Sequence, residues 1–95
     1  MYGVHSEARV ASPLAGRYLV QLCKHFQHRL PVTLQDDSGA VVFESGVCAL
    51  KASDGILTMA LDAVDAEHMV SLKDVVARHL VRFAFREELL IEWSE

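Results

Sequence analysis

Cysteine is scarce in this sequence, which has only Cys23 and Cys48 among its 95 residues. Small secreted domains that depend on disulfides carry a larger set of cysteines, so two isolated residues do not predict a disulfide framework. Long apolar runs are also lacking, because none approaches the ~18 to 20 residues of a membrane-spanning helix. The first residues lack the basic start and apolar stretch of a secretory signal. These absences predict a cytoplasmic, bacterial-type protein without a membrane segment.

Basic residues are outnumbered, since nine Lys and Arg stand against thirteen Asp and Glu for a net charge of −4. Affinity for nucleic acid comes from clustered Lys and Arg that neutralise phosphates, so this balance predicts no nucleic-acid partner. Internal repeats, low-complexity tracts and linkers are absent as well. A chain of 10.6 kDa buries about 65% of its surface on folding. We therefore predict one globular domain over residues 1–95 with a single core.

The first part of the chain predicts a strand followed by a helix. Alternating apolar and polar residues over Ser6–Ser12 are typical of a half-buried strand. Ser12 and Pro13 then predict the start of a helix, with Ser12 as its N-cap and Pro13 in the first helical position. We expect this helix to reach His28. Its apolar face recurs at helical spacing and contains Leu14, Tyr18, Leu19, Leu22 and Phe26.

Four short strands are predicted next, separated by turn residues. Val32–Gln35 and Ala40–Glu44 flank the turn Asp36–Gly39, whose residues favour turn conformations. The hairpin Val47–Asp62 has Asp54-Gly55 at its tip, a pair suited to a type I′ turn with positive φ at both positions. That turn fixes the register of the hairpin and sorts the larger apolar side chains onto one face.

A second helix and a last strand complete the predicted order. The helix covers Asp65–Phe85 with Asp65 as its N-cap, and the strand covers Glu88–Trp93. Tight turns make consecutive strands antiparallel. The order β-α-β-β-β-β-α-β thus predicts an α+β two-layer sandwich, in which two helices cover one face of a mainly antiparallel sheet. The other face is open and mixed in polarity, and a homodimer or partner protein bound there is one hypothesis.

Several residues that carry chemistry lie on the flanks of the two predicted helices. His25 and His28 are three residues apart and share one flank of the first helix. On the second helix, His79, Arg82 and Arg86 follow at helical spacing. Because both helices belong to one layer, these flanks can meet and form a pocket. Neutral imidazoles are ligands for zinc, iron or haem, and guanidinium groups bind carboxylates and phosphates in a bidentate manner.

Three interpretations of this cluster stay open at the level of sequence. The five residues bind a small organic anion or cofactor of unknown identity, or the three histidines His25, His28 and His79 hold a metal ion. In the third interpretation the flanks are simply solvated, and the arginines pair with nearby acids such as Glu87, Glu88 or Asp74.

Motifs for catalysis are missing, which favours a binding domain over an enzyme. The sequence contains no GxSxG, P-loop, GxGxxG or HExxH motif. Cys23 and His25 are only two residues apart in the sequence, but their side chains point about 160° apart on a regular helix. Cys48 faces the apolar side of its strand, so both thiols are predicted to pack in the core. No catalytic residue is therefore assigned, and a His-dependent metalloenzyme is the remaining enzymatic alternative.

Three stretches of the chain together resemble a known bacterial family: Arg17–Phe26 with His28, Gly46–Cys48, and Val75–Glu87. The family is the one catalogued as domain of unknown function 2218. This resemblance implies a small cytosolic protein without an assigned activity. It also implies a connection with siderophore-interacting, flavin-dependent ferric reductases, because some members are fused to or neighbour them. A partner reductase or an anionic iron chelate is accordingly the partner that the resemblance suggests. The predicted order of elements is also similar to one half of a TATA-binding-protein-like fold, a likeness of topology only.

Overall fold

The computed structural model describes residues 2–95, and its helices and strands follow the predicted order. Each element is bounded by the turn or loop residues beside it. The strands and helices, in chain order, are β1 (Val4–Ala11), α1 (Ala15–Phe26), β2 (Val32–Gln35), β3 (Ser38–Phe43), β4 (Gly46–Ser53), β5 (Ile56–Ala63), α2 (Ala66–Phe83) and β6 (Trp93–Ser94).

The sheet has the order β2-β3-β4-β5-β1-β6, and every neighbouring pair is antiparallel. Tight turns place β2 to β5 side by side in chain order, since such short connections allow only antiparallel pairing. β1 then pairs with the free edge of β5. Both helices cover one face, which confirms the predicted α+β class and two-layer arrangement.

The central hairpin of β4 and β5 has the predicted register. Leu50 lies opposite Met59, and φ is 52° at Asp54 and 72° at Gly55. Positive φ at both tip residues is the requirement of a type I′ turn. The turn therefore determines which side chains of the hairpin face the helices.

The core lies between the sheet and the two helices. Each helix contributes one apolar stripe, and the central strands contribute alternate residues, as their periods require. The most deeply buried of these side chains, all less than 2% exposed, include Leu19, Leu22, Leu57, Met59, Leu61, Val76 and Leu80.

The start of α1 differs from the prediction. Ser12 is not its N-cap, because α1 begins at Ala15 and follows Leu14, which provides no side-chain cap. The Ser12 hydroxyl instead accepts a hydrogen bond from the Leu14 amide at 3.0 Å and donates one to Glu87 at 2.8 Å. Leu14 was expected on the buried face but is 37% exposed, since it lies in the turn before the helix.

The bounds of several elements also differ from the prediction: β1 is Val4–Ala11, and β3 is Ser38–Phe43, so the turn before it is shorter than Asp36–Gly39. α1 ends at Phe26, so His28 lies in the following turn, and α2 ends at Phe83. The last strand shrinks to Trp93–Ser94, because only these two residues pair with β1. Leu89, Ile91 and Trp93 nevertheless pack against the core, and each is partly buried.

The face of the sheet away from the helices is mixed in polarity. Ala49 lies between Ala40 and Ala60 on neighbouring strands. Nearer β1, His5 Nδ1 lies 2.8 Å from Asp62 Oδ1. Binding of a second copy or partner protein at this face stays a prediction. Within residues 2–95, neither helix combines the length and apolar character needed to cross a membrane.

Two glycines provide a matched test of the packing. A Cβ at buried Gly46 would clash with the Asp62 carbonyl oxygen and lie 2.7 Å from Leu72 Cδ1, whereas Gly16 in α1 has open space around it. We expect Gly46→Ala to lower the free energy of unfolding by about 1 to 3 kcal/mol through overpacking. Gly16→Ala should raise it by about 0.5 to 1 kcal/mol, because alanine is the better helix former. Urea unfolding midpoints measure both effects, and equal effects of the two substitutions would contradict this packing.

Candidate functional site

His25 near the end of α1 and His79 in α2 face each other across the line where the helices pack. Their ring centroids are 4.7 Å apart, and the ring planes are inclined by 45°. The flanks of the two helices therefore meet at these residues. This proximity arises because both apolar stripes pack on the same sheet face and leave the adjacent flanks side by side.

Phenylalanine rings surround this histidine pair. The ring centroid of Phe83 lies 5.8 Å from that of His25, and the ring centroid of Phe26 lies 5.0 Å from that of His79. Phe26 also contacts Phe43 of β3, with 5.3 Å between the ring centroids. Inclined and edge-to-face arrangements at such distances are favourable for aromatic rings. The imidazoles are thus held by packing on one side.

The hydrogen bonding of His79 defines its tautomer. Its Nδ1 lies 2.6 Å from the carbonyl oxygen of Val75, one turn earlier in α2. Since a carbonyl oxygen only accepts, Nδ1 carries the hydrogen and donates it. In the neutral ring, Nε2 then carries the lone pair, and protonation makes both nitrogens donors.

The surroundings of His25 disfavour its charged form. Burial lowers the pKa of His25, and the positive charges of His79, Arg82 and His28 lower it further. A charged imidazolium would lose hydration and meet other cations at this position. The local potential along the helix line is therefore positive.

Two adjoining depressions follow the line between the helices and share His25 and His28. We call their union the seam groove. The first has a volume of about 590 Å³ and the second about 480 Å³. Their further lining residues are Arg17, Val20, Gln21, Lys24 and Phe83 in the first, and Phe26, Arg29, Leu30, Phe43, Val75 and His79 in the second.

The two predicted arginines lie beyond the seam groove. Arg82 lines a smaller depression of about 280 Å³ together with Arg78 and His79. Arg86 lines a cavity of about 420 Å³ near the start of α1. The five residues predicted from the sequence thus line neighbouring depressions rather than one pocket. His79 joins the Arg82 depression to the seam groove.

Charge is strongly segregated on this helix layer. None of the four depressions described above is lined by Asp or Glu. Among residues 2–95, only one cation of this surface has a carboxylate within 4.0 Å, namely Arg78 with Asp74 at 3.0 Å. The remaining cations of this surface are Arg17, Lys24, Arg29, Arg82 and Arg86.

Sequence reasoning missed Arg17, Lys24 and Arg29 as site residues. A signal was present, because residues 8–35 contain no Asp or Glu in a chain that is acidic as a whole. Arg82 and Arg86 do not pair with Glu87, Glu88 or Asp74 among residues 2–95, and Asp74 instead pairs with Arg78. The structure therefore concentrates unpaired positive charge where the two helices meet.

The three histidines do not come together as a set of metal ligands. Within the described part of the chain, no group of three or more His, Cys, Asp or Glu side chains is placed to hold a metal ion. Cys23 and Cys48 are buried, as predicted. Burial raises the pKa of both thiols, that of Cys48 to about 12. Both thiols are therefore protonated at neutral pH and poor nucleophiles.

A second cluster, around Glu87, was not expected from the sequence. The buried Tyr18 hydroxyl and the Ser12 hydroxyl both donate to Glu87 Oε2. Burial raises the pKa of Tyr18, and the hydrogen bond to Glu87 raises it further. This cluster ties the segment after α2 to the start of α1. The spacing of Ser12, Tyr18 and Glu87 along the chain carries no signal for it.

A family model described as an uncharacterized protein conserved in bacteria, DUF2218, matches residues 7–94. The chain belongs to the DUF2218 family. This match covers every helix and nearly every strand, which confirms the resemblance seen in the helical motifs.

The DUF2218 chain is also similar to a solved structure, the NMR structure of PA4090 from Pseudomonas aeruginosa. The two share 34% sequence identity over 99% of this chain and 96% of the other, with a TM-score of 0.81. Comparison with curated proteins finds no match. The fold of this domain and its family are therefore established.

Removal of the Tyr18 hydroxyl tests the Glu87 cluster. We expect Tyr18→Phe to lower the free energy of unfolding by about 1.5 to 3 kcal/mol, the range for hydrogen bonds to charged groups. Tyr2→Phe is the matched control, because Tyr2 is 43% exposed and should not change stability. Chemical denaturation measures both variants, and an unchanged midpoint for Tyr18→Phe would count against the cluster.

Ring titration tests the electrostatics of the seam groove. We expect His25 to titrate below its ordinary value of 6.5, and Arg82→Gln should raise its pKa by removing a nearby cation. In the unaltered protein, the pKa of His25 is lower in the folded chain than in the unfolded chain, so the unfolded chain takes up the proton first. The free energy of unfolding should therefore decrease as the pH falls below about 6.5. NMR spectra of the imidazoles against pH provide the measurement. A Lys51→Gln control should leave the pKa of His25 unchanged, and an unshifted His25 would refute the argument.

Proposed function

We propose that this DUF2218 domain is an accessory binding domain whose seam groove takes a small organic anion. The observation that carries the proposal is the lining: four depressions on the helix layer are bordered by cations and histidines and by no carboxylate. In a chain of net charge −4, such segregation is the arrangement expected of an anion site, because a positive cleft concentrates anions from solution.

The cations of the groove are available to a ligand. Lys24 in the groove and Arg82 in the adjoining depression have no carboxylate within 4.0 Å in the described part of the chain. A bound anion would therefore not have to displace an existing ion pair. Charge-assisted hydrogen bonds from guanidinium or imidazolium to carboxylate are stronger than neutral ones. These features support recognition of carboxylate or phosphate groups.

Aromatic residues support a ligand that also has an apolar part. Phe83 lines one depression of the groove, and Phe26 and Phe43 line the other. Binding sites for small molecules typically combine such apolar walls with a few polar groups that fix orientation. The volumes of about 590 and 480 Å³ fall within the range of small-molecule sites.

The resemblance to proteins associated with ferric reductases supplies the chemical class that we favour. Iron chelates with carboxylate groups are anions of suitable size, so we propose an anionic iron chelate or its free chelator as ligand. In this function the domain presents the ligand and performs no reaction. His25, His28 and His79 would contact the anion, and Arg82 would bind it from the side of α2.

Citrate is the probe for the experiment, both alone and as its ferric complex. Amide and imidazole shifts of the diamagnetic citrate titration report the site, and competition with ferric citrate reports preference for the chelate. We expect saturable shifts at Lys24, His25 and His28. The Lys24→Gln/Arg82→Gln variant should bind citrate about fivefold or more weakly, since each lost charge contact contributes up to about 1 kcal/mol at an exposed site.

The matched control is Arg9→Gln/Lys51→Gln, which removes the same charge from the opposite face of the sheet. It should bind citrate within about twofold of the unaltered chain, apart from a small long-range effect that salt screens. Equal weakening in both double variants would mean that only net charge matters. That result, or the absence of saturable shifts at the groove, would disprove the proposed function.

A further inference from the structure

The Arg86 cavity lies at the other end of the helix line from His79 and has a composition of its own. Its volume is about 420 Å³. Residues from the start of α1, the end of α2 and the segment after α2 build it: Leu14, Arg17, Tyr18, Gln21, Phe83, Phe85 and Arg86. It shares Arg17, Gln21 and Phe83 with the seam groove, whereas Leu14, Tyr18, Phe85 and Arg86 line this cavity alone of the two. This cavity therefore offers chemistry that the groove does not.

We propose that the Arg86 cavity is a second binding site, adjoining the seam groove, for a planar aromatic carboxylate. The carboxylate is bound by Arg17 and Arg86, and the aromatic ring packs against Phe83 and Phe85. The proposal goes beyond the proposed function, because it does not require that the seam groove bind any ligand.

The two arginines approach the cavity from different elements. Arg17 belongs to α1, whereas Arg86 lies three residues beyond the end of α2. Within residues 2–95, neither has a carboxylate within 4.0 Å. The guanidinium fork matches the two oxygens of a carboxylate, so two such groups around one cavity favour this anion over a neutral ligand.

Glu87 follows Arg86 in the chain but makes no ion pair with it within 4.0 Å. The Glu87 carboxylate accepts from the hydroxyls of Ser12 and Tyr18 and does not line the cavity. These hydrogen bonds attach the turn after α2 to α1, and the Glu87 amide donates to the Ala84 carbonyl at 3.1 Å. The wall that carries Phe85 and Arg86 is thus held in place before a ligand arrives, which lowers the entropic cost of binding.

Phe85 indicates that the ligand is aromatic. Its side chain is 78% exposed at the rim, although a phenyl ring of this size is normally buried. The guanidinium carbon of Arg86 lies 5.3 Å from the centroid of this ring. That contact orients a flat surface beside the carboxylate-binding group. A planar ligand ring would cover Phe85 and remain in reach of Arg86, as offset stacking prefers.

Benzoate is the probe, with cyclohexanecarboxylate as a non-planar carboxylate of similar size and inorganic phosphate as an anion without a ring. Amide shifts of the labelled full chain report each titration. We expect benzoate shifts at Leu14, Phe85 and Arg86, which line this cavity and not the seam groove, with a Kd on the order of 1 to 10 mM for so small a ligand. Benzoate should bind at least about threefold more tightly than cyclohexanecarboxylate, by the stacking preference of aromatic rings.

Two substitutions separate the parts of the site. Arg86→Gln should weaken benzoate binding about tenfold, because it removes a charged hydrogen-bond donor. Phe85→Ala should weaken benzoate binding about threefold and leave phosphate binding unchanged, since the ring contributes only stacking. Both side chains are exposed, and unchanged urea midpoints would verify that the variants fold. Arg9→Gln is the matched control, because Arg9 lies on the opposite face of the sheet and lines none of the helix-layer depressions, and its benzoate affinity should stay within about twofold.

The benzoate titrations can overturn either the site itself or its preference for an aromatic ligand. Absence of saturable benzoate shifts at these residues, or equal benzoate affinity of Arg86→Gln and Arg9→Gln, would overturn the site. Equal affinities for benzoate and cyclohexanecarboxylate would overturn the aromatic specificity. Failure of citrate to bind the seam groove would refute the proposed function alone, because the citrate test uses Lys24 and Arg82, whereas this one uses Phe85 and Arg86.

Discussion

The packing of two amphipathic helices on a single apolar sheet face is the constraint on which the rest of this molecule depends. Leu19 of α1 and Leu80 of α2 are fully buried against the sheet. A helix that buries one stripe must leave its flanks at the edge of the contact. Two such helices in one layer bring flank against flank. The His25 and His79 rings meet for this reason, and the depressions between the helices have the same origin.

Charge segregation gives this geometry its chemical character. The acidic residues lie mostly on turns, strands and the outer side of α2, whereas six of the nine Lys and Arg border the depressions of the helix layer: Arg17, Lys24, Arg29, Arg78, Arg82 and Arg86. Net charge alone argued against a nucleic-acid partner. The local distribution nevertheless favours anions at the helix layer, because electrostatic attraction at a cleft depends on nearby charges more than on the total.

Prediction from sequence succeeded wherever a local physical rule sufficed. The Asp54-Gly55 turn determined the register of the central hairpin, and Asp65 caps α2 by accepting from the His68 amide at 2.8 Å. Ser12 is a residue for which a local rule gave the wrong prediction. As a local N-cap it was plausible, but its hydroxyl donates to Glu87, which is distant in sequence and close in space. A hydrogen-bond partner of that kind leaves no periodic signal in the chain.

For this DUF2218 domain, the sequence by itself determined the order of the elements, the buried faces and the helix flanks that carry histidine and arginine. Those features follow from periodicity and turn chemistry, which are properties of neighbouring residues. Only the tertiary structure decided that Arg86 lines a cavity with Arg17 and Phe85, while His25 and His28 line another depression. The physical reason is that α2 ends at Phe83 and the Glu87 carboxylate attaches the following turn to Tyr18, a long-range contact that redirects the last predicted helical residues.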